Sequence, residues 1–159
     1  MKIKKHNRKN GFMMVEIIVA ISIIVISILA MMSVTQKTIF VSRQSLHATQ
    51  ASFLLEEGAE VVRILRDNSW DNISGLVSEI DYYPVFSSTW DLSSVPTTVG
   101  IFTRTINIAN VNRNITTADI SAEGTEDADT KFITVVVSWN EGGQLITKTL
   151  SFYIMNIFS

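Results

Sequence analysis

The sequence predicts an α+β protein in which one long N-terminal helix packs on a small antiparallel β-sheet. Three observations predict this fold. An apolar run with one charge occupies residues 12–34, apolar residues recur at helical spacing after it, and the last third of the chain alternates apolar and polar residues as strands do. The 159 residues allow one small domain in addition to a membrane segment.

The apolar run is long enough to cross a membrane. A helix formed by the 23 residues 12–34 would extend about 34 Å, against a bilayer core of about 30 Å. A cleaved signal peptide has a shorter apolar region and a small-residue cleavage site after it, so the pattern favours an anchor. The serines of the run, Ser22, Ser27 and Ser33, can return their hydroxyl hydrogen bonds to the preceding helical turn.

Charge is distributed unevenly along the chain. Residues 1–10 contain five basic residues and no acidic one, whereas the remainder contains 8 basic and 15 acidic residues. Basic residues beside an apolar segment stay on the cytoplasmic side, which predicts a single-pass protein with its N-terminus inside and its C-terminal domain outside. The acidic remainder disfavours nucleic-acid binding. Because the sequence has no cysteine, we expect no disulfide.

Glu16 is the one charged residue of the apolar run. An acid in the middle of a membrane helix costs about 2.5–3.5 kcal/mol, and less near the end of the span. Two interpretations are open for Glu16. The carboxylate lies close enough to the interface to reach water, or it awaits a cationic partner inside the apolar environment.

The junction between the basic segment and the apolar run resembles a processing signature. The sequence Gly11-Phe12-Met13-Met14-Val15-Glu16 follows a short basic leader and opens an apolar helix. It is similar to the N-terminal signature of type IV prepilins and type II secretion pseudopilins. In that family a glycine precedes an N-methylated first residue, usually Phe, and a Glu holds the fifth position of the mature chain. Counted from Phe12, Glu16 is the fifth residue.

The resemblance implies a type IV pilin-like fold and a structural role in a filament. Prepilin peptidase would cut between Gly11 and Phe12 and methylate the new amino group of Phe12. Glu16 would pair with the N-terminal amine of a neighbouring subunit. The implied partners are prepilin peptidase, other pilin subunits and the assembly platform of the inner (cytoplasmic) membrane. The subunit would then leave the membrane for an extracytoplasmic filament, a type IV pilus (fimbrium) or a type II secretion pseudopilus, without any cofactor.

The apolar helix departs from a feature that many major pilins share, a glycine and a proline within this helix. Val25 and Ser33 hold the matching positions, and no glycine lies between Phe12 and Gln50. We therefore expect a straighter, stiffer helix, which favours a minor pilin or a pseudopilin. The alternative function is a membrane-anchored extracellular binding or adhesion module, which would need no removal of the leader.

After the apolar run the helix is predicted to continue to about Asp67 as an amphipathic helix. The apolar residues expected to face the sheet recur at helical spacing. They are Leu46, Phe53, Leu54, Gly58, Val61 and Leu65. On the opposite, charged face we expect Arg63 to pair with Glu60 and with Asp67.

The sequence predicts four segments. They are a basic leader at 1–11, a transmembrane or filament-core helix at 12–34, its amphipathic continuation at 35–67, and a β-rich globular domain at 68–159. In the globular domain, residues 71–100 are predicted to be rich in loops. Strands are predicted at 80–86, 102–108, 132–139 and 145–154, with a hairpin turn at Gly142-Gly143. Together they predict a sheet of three or four antiparallel strands.

The remaining candidates for chemistry are few. Four acidic residues between Glu123 and Asp129 are interpreted as a solvated loop, with calcium binding through Asp127 and Asp129 as the alternative. His47 is interpreted as a surface residue and Trp70 as a core residue. The sequence shows no catalytic constellation, P-loop, dinucleotide fingerprint or nucleophile elbow, so no enzymatic activity is predicted.

Overall fold

The computed structural model describes the backbone of residues 10–158 and the side chains of residues 13–158. Helix α1 spans Asn10–Asn68, 59 residues, so the single long helix predicted from the sequence is confirmed. No proline interrupts it. The chain divides into two compact units, one ending at Ser45 and one beginning at Leu46.

The first unit is the apolar part of α1. Every side chain from Met13 to Ser45 is exposed. The apolar window of this helix has a mean hydropathy of 2.9, and none of it is buried. Within residues 10–158, α1 is the one helix long and apolar enough to cross a membrane. A single N-terminal apolar helix of this kind is compatible with a single-pass membrane anchor.

The second unit is an antiparallel β-sheet packed against the C-terminal part of α1. Its further elements are, in chain order, α2 (Asp71–Ser74), β1 (Asp81–Phe86), β2 (Trp90–Ser93), β3 (Thr98–Val99), β4 (Phe102–Arg113), β5 (Ile120–Ser121), β6 (Thr125–Glu141) and β7 (Gln144–Met155). The sheet has seven strands in the order β2-β1-β4-β6-β7, and β3 and β5 both pair with β4. The prediction of three or four strands was wrong, because β2, β3 and β5 are too short to show an alternating pattern.

The core of this unit lies between α1 and the inner face of β4 and β6. The alternation predicted for β6 is confirmed, since Ile133, Val135 and Val137 are fully buried and Trp139 is 2% exposed. From α1 the core receives a stripe of apolar side chains. They include Ala51, Leu55, Ala59, Val61, Val62 and Leu65.

The predicted apolar stripe of α1 was wrong at two positions. Leu46 and Phe53 are 56% and 66% exposed, although both were expected to face the sheet. Phe53 lies seven residues, two helical turns, before the exposed Glu60, so it shares the solvent side of the helix with that residue. The expected pairing of Arg63 with Glu60 is present at 3.2 Å, whereas Asp67 pairs with Arg66 instead.

Gly58 lies where α1 packs closely against the sheet. A Cβ atom at this position would lie 2.7 Å from Cγ1 of Val135 and 3.4 Å from Cδ of Arg104. Any side chain larger than a hydrogen would therefore have to push the helix away from β6, because Val135 is itself fully buried.

The β6–β7 hairpin closes as the glycine pair predicts. Gly142 and Gly143 form its two-residue turn, with φ angles of 57° and 85°. Glu141 and Gln144 face each other at the ends of the two strands. β7 is the last strand of the sheet, and among residues 10–158 it pairs with β6 alone.

Candidate functional site

The predicted processing junction lies at the start of α1. Gly11 and Phe12 belong to the first turn of the helix, which begins at Asn10. Residues 1–9 of the predicted leader lie outside the described residues. Phe12 and Glu16 are four residues apart in a continuous helix, so their positions lie one above the other on the same face, about 6 Å apart along the axis.

Glu16 is exposed on the apolar unit of α1. Among the described side chains, 13–158, no basic group lies within ion-pair distance of its carboxylate. The carboxylate therefore stands in a long apolar surface without a charge partner from this part of the chain. This position is compatible with both interpretations of Glu16, contact with water at the interface and pairing with a cation from outside this part of the chain.

The three serine hydroxyls between Met13 and Val34 are all hydrogen-bonded within the helix, as the sequence predicts. Ser22 donates to the Ile18 carbonyl at 2.7 Å, Ser27 to that of Ile23 at 2.8 Å, and Ser33 to that of Leu29 at 2.9 Å. Thr35 and Thr38 make the same bond one turn back, each at 2.9 Å. Between Met13 and Val34, Glu16 is therefore the one described side chain whose polar group is not bonded within its own helix.

A buried carboxylate ties α1 to the sheet at the end where the helix enters the globular unit. Oε2 of Glu141 lies 2.5 Å from Nδ1 of His47 and accepts a hydrogen bond of 3.1 Å from Nε1 of Trp139. The Glu141 and His47 side chains are 6% and 19% exposed. The interpretation of His47 as a surface residue was therefore wrong, and no sequence pattern connects it with a partner 94 residues away.

A second ion pair, buried on its arginine side only, joins the helix to β4. Arg104, whose side chain is 4% exposed, places Nη1 at 2.8 Å from Oε2 of Glu57. Its guanidinium also lies 5.9 Å from the ring of Trp90, which packs against the core from β2. Both pairs link α1 to strands of the sheet.

The acidic segment at residues 123–129 is only partly a loop, since β6 begins at Thr125. Oδ2 of Asp127 accepts a 2.5 Å hydrogen bond from Nε of Arg113, and Oδ1 of Asp129 accepts one of 2.9 Å from Nδ2 of Asn156. The two calcium candidates thus already bind protein donors. Within the described residues, no group of three or more His, Cys, Asp or Glu side chains could hold a metal ion.

The Asp127–Arg113 pair predicts how stability depends on pH. The hydrogen bond from Arg113 holds the pKa of Asp127 below its usual value of 3.8. A lowered folded-state pKa stabilises the fold above pH 4, and this contribution is lost as the pH falls through the folded-state value. Asp127→Asn is therefore expected to lower the free energy of unfolding by about 1–3 kcal/mol at pH 7 and by less at pH 3.

Thermal unfolding of the detergent-solubilised full chain at the two pH values measures this difference. Asp119→Asn is the matched control, because the Asp119 carboxylate is exposed and makes no ion pair with any residue from 13 to 158. An equal loss of stability at pH 7 and pH 3 for Asp127→Asn would contradict the prediction.

The charged groups of the two units differ in their partners. The globular unit uses charged side chains to hold α1. The apolar unit exposes a large apolar surface, and its one carboxylate has no partner among the described residues. Comparison of the chain with protein-family models, with curated proteins and with solved structures found no match.

Proposed function

We propose that the chain is a structural subunit, a minor pilin or a pseudopilin, of a type IV pilus or a type II secretion-like filament. The observation that carries this proposal is the Gly11-Phe12 junction with Glu16 one helical turn later, at the start of an apolar helix that nothing else in its unit covers. Prepilin peptidase is the proposed processing and methylating enzyme.

Processing would change the charge of the membrane segment and allow it to leave the bilayer. The leader carries five positive charges, which hold its end at the cytoplasmic face of the membrane. Removal of residues 1–11 would release that hold and create a new amino group on Phe12. The helix could then move out of the bilayer as the subunit joins a filament.

Pairing between subunits would then satisfy Glu16. In lipid or in a filament core, a carboxylate and an ammonium stabilise each other strongly because the dielectric constant is low. The Glu16 carboxylate and the Phe12 amine lie about one helical turn apart in sequence. A shift of one helix along its neighbour by about that distance would bring the Glu16 of one subunit to the amine of the next.

The apolar surface of α1 suits both environments that a pilin meets. Its side chains from Met13 to Val34 can face lipid before assembly and other α1 helices afterwards. Its serine hydroxyls bond their own helix, so no hydrogen bond has to be broken during the transfer. Lateral packing of these helices would supply the cohesion of the filament.

Replacement of Gly11 by valine tests the processing step. A branched side chain directly before the cut bond is expected to stop leader removal, since the peptidase must admit the chain at a residue without a side chain. Intact-mass and N-terminal analysis of the membrane fraction should find methyl-Phe12 first in the wild type and Met1 first in the Gly11→Val variant.

Met14→Val is the matched control, because it introduces the same side chain within the signature without touching the cut bond. It should be processed like the wild type. A wild-type chain that keeps its lysine-rich leader in its native host would refute the proposal and favour the membrane-anchored adhesion module. Cleavage before Phe12 in Gly11→Val would refute the role of Gly11.

A further inference from the structure

A buried lysine lies between the two central strands of the sheet. The side chain of Lys131 on β6 is 7% exposed, and Asn110 of β4 is its partner across the ladder. Nζ of Lys131 donates a hydrogen bond of 2.7 Å to Oδ1 of Asn110. Lysine side chains are rarely buried to this degree, because removal of an ammonium group from water is costly. Packing of apolar groups therefore does not account for a lysine at this position.

A bulge in β6 brings a carboxylate to the same amine. The register between β4 and β6 shifts directly after Asn110, and a segment of β6 that precedes Lys131 has no partner on β4. In a regular strand, residues 126 and 131 would be about 17 Å apart and on opposite faces. Here Oε1 of Glu126 lies 3.8 Å from Nζ of Lys131. Among residues 13–158, Glu126 is the one acid within ion-pair distance of this lysine.

The side-chain amide of Asn110 has two donors on its carbonyl oxygen. Oγ of Ser78, in the segment between α2 and β1, donates to Oδ1 at 2.8 Å, and Lys131 donates to the same atom. Two donors stabilise the negative charge that develops on such an oxygen when a nucleophile adds to the amide carbon. Nδ2 of Asn110 makes no hydrogen bond with residues 13–158, and the residue is exposed, so a group that leaves from Cγ can reach water.

We propose that Lys131 and Asn110 join in an intramolecular amide bond, an isopeptide bond, with Glu126 as the group that transfers the protons. Glu126 takes a proton from the Lys131 ammonium, and the lone pair of Nζ adds to Cγ of Asn110. The Nζ–Cγ bond forms and the Cγ–Nδ2 bond breaks, with its electron pair staying on Nδ2. Two protons pass from Nζ to Nδ2, which leaves as an ammonium ion. No oxidant and no cofactor is consumed.

The bond would brace the globular unit and does not depend on the proposed filament function. It replaces a buried charge by a neutral amide, which favours the product. It also ties β4 covalently to β6, the two strands of the inner face, at the point where their register shifts. Because the chain has no cysteine, a disulfide cannot supply such a cross-link.

Mass spectrometry of the full chain tests this bond. The intact mass should be lower by one ammonia than the amino-acid sequence requires. Trypsin should not cut after Lys131, because the amine is acylated. Residues 105–113 should therefore remain joined to residues 114–148, although trypsin cuts the backbone at Arg113. This linked peptide distinguishes the bond from ammonia lost through cyclisation of an asparagine elsewhere in the chain.

Glu126→Gln removes the proposed base without touching the core, because the Glu126 side chain is 54% exposed. This variant should keep the full mass of its sequence and release residues 105–113 as a free peptide. Glu123→Gln serves as the control, since Glu123 is an exposed acid of the same segment and makes no ion pair with any residue from 13 to 158. It should form the bond as the wild type does.

Two results would count against the proposal. A wild-type chain that has its full sequence mass and is cut after Lys131 would overturn the bond itself. A linked peptide in Glu126→Gln, in the same yield as in Glu123→Gln, would overturn the role of the carboxylate. Neither result would bear on the proposed filament function, which concerns the other unit of the chain.

Discussion

Replacement of Glu16 by alanine is expected to leave the chain inserted and processed but to exclude it from filaments. The variant removes the carboxylate that would pair with the amine of a neighbouring subunit. Loss of one partner from a buried ion pair costs about 3–5 kcal/mol, because the other charge is left uncompensated. Incorporation per contact should therefore fall by a factor on the order of one hundred or more.

The measurement compares the amount of subunit in sheared filaments with the amount that remains in the membrane. Glu16→Gln keeps the size and hydrogen-bonding groups of the side chain without its charge, and should fail as Glu16→Ala does. Ser22→Ala is the matched control, because it removes a polar group that already bonds to the Ile18 carbonyl. A wild-type filament content of Glu16→Ala would refute the assembly role of the carboxylate.

Replacement of Gly58 by alanine is expected to destabilise the globular unit by about 1–3 kcal/mol, with valine worse. The new Cβ would lie 2.7 Å from Cγ1 of Val135, which is fully buried and cannot turn away. Alanine favours a helix over glycine by about 1 kcal/mol, so the clash has to exceed this gain. Denaturant unfolding of the full chain in detergent, followed by tryptophan fluorescence, measures the change.

A second substitution identifies the clash as the cause. Val135→Ala alone should destabilise the unit through lost packing, but in the Gly58→Ala background it should cost less, because it removes the atom that clashes. Glu56→Ala is the control for helix propensity, since this side chain is exposed on the other face of α1. Strictly additive effects of the two substitutions would contradict close contact at Gly58.

Periodicity in the sequence predicted the long elements of the fold. The strand alternation at Ile133, Val135 and Val137 and the glycine pair of the hairpin placed β7 and the hairpin end of β6, but β6 begins at Thr125, seven residues before its predicted start. Helix α1 was predicted within a few residues of its observed ends. The short strands β2, β3 and β5 were missed because two to four residues show no period.

Partners across the fold could not be predicted in the same way. A period shows which face a residue occupies but not what lies opposite it, so the contact of His47 with Glu141 and that of Arg113 with Asp127 came only from the structure. The candidate site at Gly11, Phe12 and Glu16 came from the sequence signature, and its functional roles remain predictions. The proposed partner of Glu16 belongs to another copy, which a single chain does not contain.

The free edge of β7 would give the proposed membrane anchor a second role. Glu141 and Gln144 close the hairpin as a hydrogen-bonded pair, so alternate residues from Leu145 to Met155 direct their N–H and C=O groups away from β6. Lys148 is the one charged residue of this strand. The β7 strand of a second copy could therefore pair with the free edge in antiparallel orientation.

Such pairing of two β7 strands would invert one molecule relative to the other. Residues 48–63 of α1 run alongside β7 in the same direction, with Ala48 at Lys148 and Arg63 at Phe152. In two copies paired in this way, the residue-46 ends of α1 would therefore lie on opposite sides of the pair. In the proposed membrane-anchored form, chains inserted into one bilayer with the same topology could not adopt that orientation, so the proposed anchor would keep two sheets from pairing edge to edge until the subunit left the membrane.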